Sequence, residues 1–179
     1  MLNRLPKPQA ILQVYAVIAV MFSAWTITAF LWKLSAWLLL LNLGEIFTIF
    51  SYAMVTNLLE SLVVLFLLLA ICVFLPPAIL RDDFVVRGTI VSMGLIGSLM
   101  AFVALLMGFG IESGVTLLAG PLTVILLTIL LLGFPSESRF IRAVHSAILW
   151  ISDRLVVFLL ILLPLFLILS AYVIFRNII

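Results

Sequence analysis

The 179-residue chain is 67% hydrophobic and 9% charged, where a soluble domain carries about 25% charged residues, so an ordinary water-soluble fold is excluded. Nine Lys/Arg against seven Asp/Glu leave a formal net charge of +2 with no concentrated basic patch, which argues against nucleic acid as a partner. The mean hydropathy of +1.50 is gathered into long apolar runs, and residues 1–179 are therefore expected to form one transmembrane domain, an all-α polytopic bundle.

A helix needs about 20 apolar residues to cross a bilayer, and the stretches 10–32, 57–80, 88–108, 115–134 and 155–175 meet that length. The first follows Arg4 and Lys7 and exceeds a signal-peptide core of about 7 to 15 residues, so it reads as a retained anchor. After Lys33, the apolar piece 34–56 is broken by Asn42, Gly44 and Glu45. It reads either as an interfacial helix or as an N-terminal extension of span two. Cys72, alone in the chain, permits no intramolecular disulfide.

Span two ends at Pro76-Pro77, and the turn Arg81-Asp82-Asp83 with Arg87 follows. Its adjacent carboxylates among arginines suggest local salt bridges rather than a metal site. Span three carries the small-residue stripe Gly94, Gly97, Ser98, Ala101, Ala104 and Gly108, a smooth face for close helix packing. Glu112 belongs to a short loop. Span four opens on Gly120-Pro121 and span five contains Pro164, both expected kinks. Between them, 137–152 places Ile141, Val144, Ile148 and Ile151 at helical spacing, a short amphipathic helix whose Arg139 and Arg142 would contact lipid head groups.

With the N-terminus in the cytoplasm, Arg4, Lys7, Arg81, Arg87, Arg139, Arg142 and Arg154 fall inside and only Lys33 and Arg176 outside. This positive-inside bias predicts a cell-membrane protein with its C-terminus outside. Trp25, Trp32 and Trp37 are then expected to gather at the outer boundary, with Tyr172 and Phe175 at the end of the last span.

The polar candidates are Asn42, Glu45, Thr48, Tyr52, Thr56 and Glu60, which share one broad face if 42–60 is helical throughout. On the outer side of span two, such a face could line a vestibule for a cation, a proton or a polar head group, with Lys33 as counter-charge.

Ser138-Arg139, followed after five residues by His145, resembles part of one motif of the phosphatidic-acid-phosphatase-like lipid phosphatases. Leu149 stands where that family has an acidic residue, its other motifs are missing, and His145 is the chain's one histidine. Ile111-Glu112-Ser113-Gly114 is similar to the serine motif of rhomboid proteases but lacks its first glycine. No metal cluster, P-loop or dinucleotide fingerprint is present in the sequence, so no catalytic residue and no cofactor is assigned.

The expectation is a non-catalytic accessory, assembly or scaffold subunit that acts through helix packing. Its partners would be membrane lipids and another membrane protein or further copies of itself. A small oligomeric transporter or pore using the Glu45–Glu60 face is the alternative, and the membrane module of a split lipid-processing enzyme is a third reading.

Overall fold

A computed structural model describes residues 6–74, 83–109 and 139–178, without the side chains of 104–109 and 139–141. The described residues form four helices: α1 Pro8–Leu40, α2 Leu43–Phe74, α3 Phe84–Phe109 and α4 Arg139–Ile178. All four contain stretches long and apolar enough to cross a membrane, and the chain is an all-α, multi-pass membrane protein. The expected span 115–134 lies outside the described residues.

The helix boundaries differ from the expected ones in two places, each for a local reason. Residues 34–40 continue α1, and 43–56 are the first half of α2, so 34–56 is neither one interfacial helix nor simply an extension. Asn42 marks the break. Its Oδ1 accepts from the Glu45 N–H at 2.9 Å while its own N–H donates to Glu45 Oε2 at 2.9 Å, a reciprocal capping box that starts α2. The amphipathic segment 139–152 and the last span are one helix of 40 residues that runs through Pro164.

α1 is the central helix. Val14 through Ala19 are buried without interruption, which a membrane helix achieves only when neighbours surround it. Their neighbours in the core include Leu65, Leu68 and Cys72 of α2, Phe84 and Ile96 of α3, and Leu159 of α4. Small residues set the approach: a Cβ on Gly88 would lie 3.3 Å from Leu68 and 3.4 Å from Val14. A second cluster joins Met54 of α2 to Phe166 and Leu169 of α4.

The helix directions follow from cross-chain bonds. Gln13 Nε2 donates to Asp153 Oδ1 at 3.5 Å near the start of α1, and His145 Nε2 lies 3.8 Å from Asp83 Oδ1 where α3 and α4 begin. At the other end Tyr52 of α2 donates to Asn177 of α4 at 2.7 Å. Hence α1, α3 and α4 run parallel and α2 runs against them.

Candidate functional site

The polar side chains acquire depths once the apolar band is placed. On α4, Leu155–Phe175 is free of charge between Arg154 and Arg176 and measures about 31 Å, the thickness of a hydrocarbon core. The Gln13–Asp153 bond carries its lower edge to α1. Gly88, facing both Val14 and Leu68, carries it to α3 and α2. Thr48, bonded to Tyr172 and Arg176, marks the upper edge on α2.

Within this frame Glu60 is about 18 Å from Thr48 and about 12 Å from Leu68 along α2. It stands about midway between the levels of Thr48 and Leu68 along the bundle. It borders a hollow of about 100 Å³ together with Trp25 and Thr26 of α1, Asn57 of α2, and Leu99 and Met100 of α3. Trp25 is therefore a mid-depth packing residue and does not belong to the aromatic boundary. Trp32, by contrast, is 73% exposed near the far end of α1, and Trp37 stacks edge-on against Phe30 with centroids 5.3 Å apart.

The expected polar face divides into three parts. Asn42 and Glu45 bond each other in the cap. Thr48 donates to the Gly44 carbonyl at 2.7 Å, pairs with the Tyr172 hydroxyl at 3.1 Å and accepts from Arg176, so its one donor and two acceptor positions are all used. Tyr52 is tied to Asn177, and Thr56 returns its hydroxyl to the Tyr52 carbonyl at 3.0 Å. Glu60 is separate from these. Among the described residues its carboxylate has no hydrogen-bond or ion-pair partner, and Lys33 pairs with neither Glu45 nor Glu60.

Residues outside that face complete the polar interior. Asn57 is 3% exposed and accepts from Thr26 Oγ1 at 2.7 Å, while its Nδ2 lies 3.4 Å from the Phe22 carbonyl. One turn on, Ser61 meets the Tyr15 hydroxyl at 3.4 Å. Nine positions at about 100° each put Asn57 on the opposite side of α2 from Thr48. The signal was the four-residue spacing of Asn57 and Ser61 inside an apolar run, matched by Thr26 on α1.

The small-residue stripe is only partly in contact. Ser98 is buried and donates to the Leu95 carbonyl at 2.8 Å, Gly94 is half-buried and Ala101 is exposed. A Cβ built on Gly97 would meet no described residue within 4 Å. The surroundings of Ala104 and Gly108 lie outside the described side chains. So does the side chain of Arg139; Arg142 is exposed at the start of α4.

At that same end a second hollow, of about 290 Å³, is bordered by Lys7, Asp83, Phe84, His145 and Leu149. Arg81 and Asp82 lie outside the described residues. Among the described residues no three His, Cys, Asp or Glu side chains gather as metal ligands.

No protein-family model, curated protein or solved structure matches the chain.

Proposed function

We propose that the chain is a non-catalytic accessory or assembly subunit of a larger membrane complex, acting through its helix surfaces. The observation that carries this reading is that no described residue packs within 4 Å of a Cβ at Gly97. A smooth helical face lets another backbone approach closely, and close packing is a main source of attraction between apolar helices in lipid, so the face suits a partner helix. Four polar groups in the band, Thr26, Asn57, Tyr15 and Ser61, are engaged in holding α1 to α2, which supports a structural role for them.

The chain sits in the cell membrane with its N-terminus cytoplasmic, an orientation supported by seven basic residues against two. Arg139 and Arg142 then meet anionic head groups of the inner leaflet. Single cysteines placed at Ser113 and Ser138, after replacement of Cys72, test the orientation. Labelling of both from the same side of sealed vesicles overturns it.

Native mass spectrometry after gentle extraction tests the function. A reproducible hetero-complex that dissociates in the Gly97→Leu or Ala101→Leu variant supports the reading, and a chain that is always alone overturns it.

A second reading, a small oligomeric pore or transporter, draws on the mid-depth position of Glu60 beside a hollow. Glu60→Gln and Glu45→Gln should then change ion or solute flux in reconstituted vesicles. Unchanged flux in both removes this reading.

A further inference from the structure

We infer that Glu60 is the docking point for a partner transmembrane helix that carries a lysine or arginine at mid-membrane depth. The inference rests on the accessory-subunit reading and names the chemistry of the partner.

The argument begins with the missing counter-charge. A carboxylate in hydrocarbon is costly unless it meets a cation or hydrogen-bond donors, and among the described residues Glu60 meets neither. Its neighbours Thr26 and Asn57 are already bonded to each other at 2.7 Å. Among the described residues no Lys, Arg or His pairs with it. Of those residues, Lys7, Arg87, Arg142 and Arg154 belong to one end of the helices and Lys33 and Arg176 to the other, and the sequence 110–138 contains no Lys, Arg or His.

The surroundings suit a helix. α2 and α3 flank α1 and leave the hollow of about 100 Å³ between them, with Glu60 and Leu99 at its rim. Leu59 and Val63 beside Glu60 are 59% and 57% exposed, so an apolar helix would find apolar surface around a single charge. A lysine or arginine that is itself costly in lipid gains most from such a site, and charge sign then selects the partner.

The test uses the full chain in phosphatidylcholine vesicles with tryptophan-free, leucine-rich transmembrane peptides bearing a dansyl acceptor. One peptide has a central lysine, one a central leucine and one a central glutamate. Energy transfer from the chain's tryptophans is expected to report at least tenfold tighter association of the lysine peptide than of the leucine peptide. Glu60→Gln should abolish that preference, and Glu60→Lys should transfer it to the glutamate peptide, which provides a readout even if the glutamine variant folds poorly. Equal association of the lysine and leucine peptides, or a lysine preference that survives in Glu60→Gln, overturns the inference. Native mass spectrometry separates the two levels: a hetero-complex without lysine preference defeats the docking site alone, whereas a solitary chain defeats the accessory reading.

Discussion

Thr26 of α1 donates a 2.7 Å hydrogen bond to the Asn57 carboxamide of α2 near the middle of the apolar band. Water cannot compete there, yet each partner alone would seek another acceptor or donor in its own helix, so interhelical bonds in lipid contribute only about 0.6 to 2 kcal/mol. A double-mutant cycle of Thr26→Val and Asn57→Leu should therefore give a coupling of about 1 kcal/mol in unfolding from mixed micelles. A coupling near zero would mean that the two side chains are merely adjacent.

The Asn42–Glu45 box makes the break between α1 and α2 a sharp one. Asn42→Ala should cost about 1 kcal/mol and speed hydrogen exchange of the first amides of α2, whereas Asn42→Asp should retain most of the cap. Exchange unchanged in the alanine variant would assign the break to Gly44 instead.

Gly88 and Gly97 occupy the same helix but opposite situations. Gly88→Leu must displace Leu68 and Val14 and should lower the melting temperature of the isolated chain by several degrees, by overpacking of about 1 to 3 kcal/mol. Gly97→Leu points into open space and should leave that temperature unchanged, affecting assembly alone. Equal destabilisation by both would refute the open face.

Thr89 and Ser92 are each 1% exposed on α3, and neither hydroxyl has a partner among the described residues. Removal of a buried, unbonded hydroxyl without change of shape relieves a desolvation cost. Thr89→Val and Ser92→Ala should each leave thermal stability equal or raise it by up to about 1 kcal/mol. A loss of more than that would reveal a bond to a group outside the described residues.

Much of this architecture was legible in the chain itself. Apolar runs of bilayer length predicted an all-α, multi-pass bundle, because in lipid a backbone has few alternatives to satisfying itself within a helix. Boundaries near polar residues were less clear. Asn42-Leu43-Gly44-Glu45 carries the spacing of a capping box, yet hydropathy alone shows it only as a break in an apolar run and leaves 34–56 either an interfacial helix or an extension of span two.

Composition and periodicity by themselves determined that this protein is an all-α, multi-pass membrane protein, since hydropathy is a property of each segment taken alone. Only the tertiary structure decided that α1 is central, that Asn57 and Glu60 lie at mid-depth, and that the six expected polar residues separate into a cap, a cluster with Arg176 and a lone carboxylate. Those facts depend on which helices touch and at what level. A helix that is apolar all round carries little record of its neighbours in its own pattern, because lipid and a packed helix are nearly the same solvent to a leucine.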